Sequence, residues 1–576
     1  MREFIKNNIK LVSILIIVIV LAGIGITYAA LTRRINVGIT TGEYNVVYEG
    51  ISTLPSSDLS PVPDSSVRLE TNKVLKVEFT VKGAQTNPID KPIIYDVSLT
   101  DLDLPEELKN SNFKWRLYKN NTLISEGLFS DGYDPEDNTR MVLTYTQQDL
   151  PSYDETADSY VFYAWLSISE ACASDITNCT EEEANYSKNF MNKTLSGNIR
   201  IELSTGEKIT RVLGKAGETI TRLGLEDSIK TDTPSIKNTS CSSGCGESTV
   251  GIYRTVDDLG ISYYFRGDVT NNYVKFAGLY WRIIRINGDG TIRMIYDGTE
   301  PHENGTVSED RVLKDPVRYN NYAEDVSFVG YMNGTIDGEY FPNGTKNSTS
   351  KTEARANISD STIKMYVDTW YENNIIDYEQ HVADAIYCNE RSVSTLKTKG
   401  NGSSAGVNTG FGDNVTIFAF YDKNDRQSET SKTYKPDLLC KNKNDRFTTE
   451  TEIGNGKLKY PIGLLNMNEA LMAGLSTSSS KSNNEFYLYT GYDYWTMSPQ
   501  EYLPKSDNIF SSSGTQLYGG FILLLRGTGS GWGTRGFQYD DLYGLSYLKP
   551  VISIKPETIK YGTGTTIDPF RITEEI

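Results

Sequence analysis

Histidine is nearly absent from this chain, which has 2 among its 576 residues. His302 lies in a polar stretch, and His381 directly follows a segment with helical periodicity. Zinc centres and acid–base relays rely on histidine together with Cys, Asp or Glu. Because no Ser/His/Asp or Cys/His arrangement can be assembled, the sequence favours a protein that is not an enzyme. A hydrolase that works through carboxylates alone is the remaining catalytic alternative.

Positive charge is in deficit as well, with 57 Lys and Arg against 75 Asp and Glu, a formal net charge of -18. Proteins that bind nucleic acid concentrate Lys and Arg against the phosphates. This balance therefore excludes a nucleic-acid partner. It is typical of a surface kept soluble by negative charge, and recognition of a cationic ligand is the alternative.

Long apolar runs are missing except at the start, and a mean hydropathy of -0.42 excludes a polytopic membrane protein. Residues 11–30 carry no charge and are long enough to cross a hydrocarbon layer about 30 Å thick. Arg2, Lys6 and Lys10 precede them, which favours a cytoplasmic N-terminus and export of the rest. We predict a membrane anchor with an extracellular C-terminal part. Small residues at 27–30 would let a signal peptidase release a secreted protein instead.

Cysteine is sparse but even in number, which favours disulfides in an exported chain. The bridge that would restrict the most chain entropy joins Cys388 to Cys440. Free structural thiols are the alternative, whereas the CSSGC stretch has too few thiols for a tetrahedral metal site. The predicted pairs are Cys172 with Cys179, Cys241 with Cys245, and Cys388 with Cys440.

Residues 35–205 show the period-two pattern of antiparallel strands. In VLKVEFTVK, residues 74–82, apolar and polar side chains alternate, and LSGNIRIELS, residues 195–204, repeats the pattern. YVFYAWLSI, residues 160–168, is apolar on both faces and is typical of a central strand covered from both sides. Turns such as Asn120-Asn121 separate the strands. The pattern predicts an all-β antiparallel sandwich.

This half resembles exported β-sandwich proteins of low-GC Gram-positive bacteria, typified by camelysin and the biofilm matrix fibre subunits. The resemblance rests on the leader ending in TYAA, on YVFYAWLSI, and on NFMNKTLSGNIRIEL at residues 189–203. It implies a sandwich that could also assemble into a fibre or coat. The metallopeptidase activity attributed to camelysin-type proteins is not carried over, because no histidine precedes His302.

Residues 206–248 are polar and predict a linker with a short helix near 217–225, after which residues 249–576 have mixed α and β patterns. Asn287-Gly288-Asp289-Gly290 separates two apolar runs and indicates a hairpin. Beside Trp281, arginine stems are expected to cover aromatic surface while their charged heads reach solvent, at Arg282, Arg285 and Arg293.

Two helices follow in this half. The first is expected to begin at Ser359 or Asp360 and to bury one stripe, formed by Ile363, Tyr366, Val367 and Trp370. Its polar residues Lys364, Asp368 and Glu372 should face water. In the second, we expect Asn466 to cap the start, Glu469 to reach back to it, and Gly474 to end the helix.

The C-terminal half is similar to a family of bacterial exported domains of unknown function, related to the C-type-lectin-like fold of formylglycine-generating enzymes. The resemblance covers residues 249–573 and includes AGLYWRIIRINGDGTIRMIYDG, STIKMYVDTWYENNI, YPIGLLNMNEALMAG, YLYTGYDYWTMSP and LKPVISIKPETIKYG. It implies an α+β domain whose terminal strands meet, with Trp495 and the strand Pro550 to Lys555 in the core. The enzyme chemistry is not expected, because no cysteine follows Cys440, and the calcium-dependent sugar motifs of lectins are missing.

The resemblance places a ligand-binding face on the loops of residues 500–548. The candidate contacts with a glycan or protein outside the cell are Arg526, Trp532, Arg535, Phe537, Tyr539 and Tyr543. These rings could equally fill the core of the domain. A separate acidic loop offers hard oxygen ligands for calcium at Asp131, Asp134 and Asp137, and a solvated turn is the alternative. No other cofactor is predicted.

Overall fold

A computed structural model of the chain forms two compact units, Met1–Leu213 and Gly214–Ile576. The structure describes residues 32–39, 42–55, 60–69, 71–84, 93–105, 108, 112–129, 133–134, 137–174, 179, 195–205, 214–230, 250–323, 325–334, 351–389, 391, 416–417, 436, 438–440, 442–475, 486–503, 519–525 and 537–573. The predicted membrane segment, residues 11–30, lies outside these ranges. Within them, no helix is long and apolar enough to cross a membrane.

The first unit is built almost entirely of strands. They are β1 (Thr32–Ile39), β2 (Gly42–Gly50), β3 (Val62–Pro63), β4 (Leu75–Gly83), β5 (Ile93–Asp103), β6 (Phe113–Lys119), β7 (Thr122–Leu128), β8 (Tyr133–Asp134), β9 (Asp137–Val142), β10 (Gln148–Asp149), β11 (Asp158–Ile168) and β12 (Ser196–Thr205). One short helix, α1 (Glu170–Ser174), follows β11.

These strands form two sheets. One has the order β1-β2-β4-β11-β6-β7, antiparallel throughout, and β3 adds to β11 in parallel. The other has the order β10-β5-β9-β8, with β12 antiparallel to β5. Asn120 and Asn121 both adopt positive φ in the turn from β6 to β7, as the hairpin prediction required.

Both sheets contribute to a single core. Leu75, Val77, Phe79 and Val81 of β4 are buried, and so are Ile199 and Ile201 of β12, as their alternation predicted. The even-numbered residues of β11 from Tyr160 to Leu166 join this core. On the opposite face of β11, a smaller cluster gathers around Tyr163 and Trp165. This second cluster explains why residues 160–168 are apolar on both faces.

The second unit combines strands with short helices. The strands are β13 (Gly251–Asp257), β14 (Gly260–Arg266), β15 (Tyr273–Phe276), β16 (Leu279–Ile286), β17 (Ile292–Gly298), β18 (Val317–Arg318), β19 (Met332–Asn333), β20 (Ser359–Asp360), β21 (Tyr387–Cys388), β22 (Thr416–Ile417), β23 (Arg446–Phe447), β24 (Ile462–Gly463), β25 (Tyr494–Leu503), β26 (Gly519–Leu525), β27 (Phe537–Asp541), β28 (Leu545–Ser546), β29 (Val551–Ile554) and β30 (Phe570–Arg571). The α-helices are α2 (Gly214–Arg222), α3 (Lys351–Ala354), α4 (Thr362–Asn374) and α5 (Met467–Met472).

The main sheet of this unit has the order β13-β14-β16-β17-β29-β24, and β15 joins β16 and β30. Trp495 and all of β29 are buried, as predicted for the strand Pro550 to Lys555, but Lys555 at the end of that range is exposed. Strands from the two ends of the unit meet as expected, although through β15 and β17 rather than through β13. β13 pairs with β14, while β29 pairs with β17 and β30 with β15. The coarse class is therefore a mostly antiparallel β protein with few helices.

The segment predicted as a linker contains α2, which packs on this second unit. Ala216 and Ile220 are buried, and the hydroxyl of Thr219 donates to the carbonyl of Gly290 at 2.7 Å. The helix thus holds the predicted hairpin turn. In that turn Gly290 has φ +88°, and a Cβ on Gly288 would collide with the backbone where β14 begins. Close approach and positive φ together account for the two glycines.

Helix α4 differs from its predicted pattern. Ile363 and Val367 are buried as expected, but Tyr366 is 52% exposed, and Lys364 and Asp368 are buried. The Lys364 ammonium lies 2.7 Å from the Asp368 carboxylate, so the two charges enter the interior as a pair. Ser361, rather than either residue before it, caps the helix.

Helix α5 follows its prediction closely. Asn466 accepts from the backbone nitrogen of Glu469, and the Glu469 side chain accepts from the backbone of Asn466. Gly474 has φ +114° just beyond the helix. The capping box therefore places the Glu469 carboxylate at a fixed point in the interior.

Candidate binding site

The charged heads of the arginines around the hairpin were predicted to reach solvent, but the structure buries them. Arg282 and Arg293 are 0% exposed and Arg285 is 6% exposed. A buried guanidinium must find a carboxylate or several hydrogen-bond acceptors, since an unpaired buried charge is strongly unfavourable. The partners come from distant parts of the chain and form two separate clusters.

The first cluster centres on Glu469. Its carboxylate lies 3.1 Å from Nε of Arg285 and 2.5 Å from Nε of Arg293. The Arg293 Nε–H is not aligned for a hydrogen bond, whereas its Nη2 donates to the other carboxylate oxygen at 3.3 Å. Arg285 also meets Asp257 at 2.5 Å, and Asp257 accepts from the backbone of Gly288. Two carboxylates balance two arginines, so the cluster ties α5 to the hairpin.

The second cluster places three cations around Asp297. Arg311 lies 2.9 Å from its carboxylate, Lys549 3.2 Å and Arg282 3.9 Å. All four side chains are at most 1% exposed. Arg282 is held further by the side chains of Asn272 and Asn304 and by the ring of Tyr273.

The pKa values follow from this excess of cations. Burial lowers the pKa of Lys549 to about 7; Asp297 opposes the shift, and Arg311 and Arg282 reinforce it. Burial alone would raise the pKa of the Asp297 carboxyl, but the charges of Arg311, Lys549 and Arg282 outweigh it and lower this pKa. One carboxylate and two permanently charged arginines therefore share the interior with a lysine that can shed its proton near neutrality.

A third buried ion pair lies near the disulfide between Cys388 and Cys440. Arg391 lies 2.7 Å from Asp445, and both are nearly inaccessible. The bridge between Cys388 and Cys440 begins close by along the chain, as predicted from the sequence. The pair Cys172 and Cys179 is bridged as well, whereas Cys241 and Cys245 lie outside the described residues.

These clusters stabilise the unit rather than face a substrate, because their charged atoms are occupied by one another and shielded from solvent. Across the ranges given above, no three His, Cys, Asp or Glu side chains form a group that could hold a metal ion.

A cleft of about 470 Å³ opens on the surface of the second unit instead. It lies between the end of α2 and the segment from β29 to β30. Its apolar floor consists of Leu223, Ile559 and Phe570, which are 7%, 6% and 1% exposed. The remaining lining residues are Arg222, Glu557, Lys560, Tyr561 and Gly562.

The polar lining of the cleft is free to meet a ligand. Arg222, Glu557 and Lys560 are exposed, and their side chains have no hydrogen bond or ion pair with the described part of the chain. Tyr561 is 41% exposed, and the guanidinium of Arg571 lies 6.0 Å from the centre of its ring. The cleft therefore combines an apolar floor, an aromatic face, two cations and one carboxylate.

Backbone hydrogen bonds hold Tyr561 in place. The backbone nitrogen of Tyr561 donates to the carbonyl of Arg571 at 3.2 Å, and the nitrogen of Arg571 donates to the carbonyl of Tyr561 at 3.0 Å. Gly562 follows with φ +95°. The chain thus turns away directly after the tyrosine and leaves the ring beside the cleft.

The predicted ligand contacts lie elsewhere in the sequence. Arg526, Trp532 and Arg535 fall outside the described residues, and Phe537 and Tyr539 lie on β27 with no side-chain description. Tyr543 is half-buried, with the guanidinium of Arg318 5.7 Å from its ring centre. These six remain predictions.

The three calcium candidates lie in and around the β8–β9 hairpin. Asp131 lies outside the described residues, while Asp134 and Asp137 are paired opposite each other in the β8–β9 hairpin. Calcium binding at this hairpin remains a prediction.

Comparison with known proteins provides no family for this chain. No family model matches it, and no curated protein matches. A solved structure described as "PA14 sugar-binding domain from RTX adhesin" is 11% identical, covers 31% of this chain and 84% of its own, and has a TM-score of 0.12. A similarity of this size carries no argument about fold or ligand.

Sequence reasoning missed the cleft because its residues are far apart along the chain. Arg222 was assigned to the linker of residues 206–248, and residues 557–570 entered only through the resemblance that covers residues 249–573. One local signal was available in Tyr561-Gly562-Thr563-Gly564, since an aromatic residue before two glycines is poorly placed for a strand interior.

Proposed function

We propose that this protein is a non-enzymatic binding protein of the bacterial cell surface. In this proposal, a lectin-like module of the C-type-lectin-like class is presented by a β-sandwich, and residues 11–30 anchor it in the membrane or direct its secretion. Its ligand is a glycan or a protein outside the cell. The hairpin around Trp281 is framework in this arrangement, because its arginines are committed to buried ion pairs.

The observation that carries the proposal is the cleft. Its lining offers a tyrosine ring, two unpaired cations and an apolar floor, which are groups that bind and orient a ligand. The lining contains no serine, threonine, cysteine or histidine, so its residues cannot form a Ser/His or Cys/His arrangement. The buried carboxylates of Glu469 and Asp297 are held in ion pairs with arginine, and the cleft itself has a single carboxylate, that of Glu557.

The test is a binding survey with the full chain purified in detergent, against immobilised glycans and against extracellular host and bacterial proteins. We expect saturable binding to at least one ligand and no turnover of glycoside, ester or peptide substrates. Tyr561→Ala should weaken binding if the cleft is used, and Trp532→Ala with Tyr539→Ala should weaken it if the predicted loops are used. Tyr366→Ala serves as the control, because Tyr366 is an exposed tyrosine on α4.

Two results would overturn the proposal. One is hydrolysis of a substrate by the full chain with no measurable ligand binding. The other is protection of the chain from an impermeant protease in intact cells, since a surface protein must be cut from outside.

A structural role is the second candidate, and the edge of the first sheet favours it. In the described strands, β7 pairs only with β6 and ends the sheet order. An open edge can accept a strand from another molecule. Electron microscopy of the full chain should then show filaments, and Ile124→Pro in β7 should abolish them. A uniform population of single particles would contradict this role.

A further inference from the structure

We propose that the cleft of the second unit binds a sugar that carries a single carboxylate, such as a uronic acid. This inference rests on the proposed function and specifies the ligand class of one site. The inference depends on four residues that line the cleft, Arg222, Lys560, Glu557 and Tyr561.

The aromatic face is the first element of the argument. Tyr561 is 41% exposed, although most large apolar and aromatic side chains of this unit are buried. The face of an aromatic ring is negative, so it attracts the weakly positive C–H groups on one side of a pyranose ring. The cross-strand hydrogen bonds with Arg571 fix the backbone, which reduces the conformational entropy lost when a ligand binds.

The free cations are the second element. Arg311, Arg282 and Arg293 have carboxylate partners in the interior, whereas Arg222 and Lys560 have none among the described residues. A guanidinium matches the two oxygens of a carboxylate with two parallel hydrogen bonds. Lys560 adds a second positive charge at the same cleft.

The single acid in the cleft selects for a sugar over a simple anion. Glu557 has no partner in the described structure, and an ionised carboxylate accepts hydrogen bonds only. Sugar hydroxyls supply such donors. A ligand with one carboxylate and several hydroxyls therefore satisfies Arg222 and Glu557 together, which a sulfate ion, having no donor, does not.

The volume of the cleft and the net charge of the chain restrict the class of ligand further. A cleft of about 470 Å³ falls in the range of small-ligand sites, roughly 300–1,000 Å³, and is too small for a protein interface of about 800 Å² per partner. The net charge of -18 opposes the approach of a polyanion. A singly charged terminal sugar fits both conditions better than an acidic protein surface does.

The experiment titrates the full chain with methyl glucuronide and with methyl glucoside, which lacks the carboxylate, by calorimetry or ligand-observed NMR. We expect the glucuronide to bind at least about tenfold more tightly, because hydrogen bonds to charged groups are the stronger class. Arg222→Gln and Tyr561→Ala should each weaken glucuronide binding about tenfold or more. Added NaCl should weaken it as well.

Lys457→Gln is the matched control, because it removes an exposed cation of the same unit outside the cleft. It should leave the affinity unchanged, and all variants should unfold at the temperature of the unmodified chain. Equal binding of the two sugars, or no binding of either, would overturn the inference. So would unchanged affinity in Arg222→Gln, or displacement of the sugar by a tetraglutamate peptide at lower concentration. If methyl glucuronide does not bind but the full chain still binds a ligand in the survey above, the inference fails while the proposed function stands.

Discussion

Replacing Lys549 by methionine should remove a pH dependence from the stability of the second unit. Lys549 is buried beside Asp297 together with two arginines, and burial lowers its pKa from 10.5 to about 7. Below pH 7 the lysine is protonated in both the folded and the unfolded chain, so it does not make the free energy of unfolding depend on pH. Above pH 7 the unfolded chain still binds the proton that the folded chain has released. The free energy of unfolding must therefore rise with pH until the unfolded lysine titrates.

The magnitude follows from the two pKa values. Between pH 7 and pH 9 the difference in proton binding amounts to an increase of about 2 kcal/mol in the free energy of unfolding. Tyr494, whose ring faces the lysine, stays neutral throughout because burial raises its pKa well above 10. The methionine variant has a side chain of similar volume and no charge, so this increase should disappear.

The assay is calorimetric unfolding of the full chain at intervals from pH 7 to pH 9, with Lys549→Met compared to the unmodified protein. The transition affected by the substitution reports the second unit. Lys555→Met is the control, because Lys555 is an exposed lysine directly after the same strand, and its ammonium donates to the carbonyl of Gln380. Parallel pH profiles for the unmodified chain and Lys549→Met would refute the reasoning, because they would mean that the buried lysine does not release its proton.

Three further predictions concern stability. Glu469→Gln keeps the cap of α5 but leaves Arg293 without a carboxylate, and should lower the free energy of unfolding by about 3–5 kcal/mol in urea titrations; a loss below 1 kcal/mol would contradict the buried pairing. Replacing Cys388 and Cys440 by alanine opens a bridge of sequence separation 52 and should lower the free energy of unfolding by about 2–4 kcal/mol relative to the oxidised, unmodified chain; an unchanged free energy of unfolding would contradict this stabilisation. Gly288→Ala forces a Cβ against the start of β14 and should cost about 1–3 kcal/mol, and an unchanged melting temperature would count against the close approach.

Patterns that arise within one strand or one helix turn were predictable. The alternation in β4 arises because one face of the strand is buried and the other faces solvent. The apolar run in β11 arises because both of its faces are buried. The capping box at Asn466 uses residues three apart, so the sequence displays both partners. The burial of Trp495 was expected from the resemblance of its stretch to a known fold.

Arrangements that join distant residues were not predictable. Arg285 and Glu469 are 184 residues apart, and Lys549 and Asp297 are 252 apart. From sequence alone, an arginine beside tryptophan on a strand has the same pattern whether its head lies in water or in a buried ion pair. The pair Lys364 and Asp368 was misassigned for a similar reason, because charges four residues apart normally mark a solvated helix face.

The cleft could not be predicted because its residues are distant along the chain and because their exposure depends on the folded structure. Arg222 ends one helix and Tyr561 lies more than three hundred residues later, and only the folded sheet brings them to one surface. Their exposure, which makes them candidates for binding, depends on neighbours that no local pattern specifies. The sequence could therefore suggest a binding protein but could not locate this site.

The bridge between Cys388 and Cys440 has a consequence for how the molecule tolerates damage. Because the bond spans residues 389–439, a single cut by a protease anywhere in that segment leaves the two fragments covalently joined. The cysteine at each end of the bridge is also held by folded structure. Cys388 pairs with Arg446 across two strands, and the backbone N–H of Cys440 donates to the carboxylate of Asp258. A nicked molecule can thus keep its framework and remain attached wherever the intact chain was attached. The segment between the two cysteines can therefore be cut without separating the two ends of the chain.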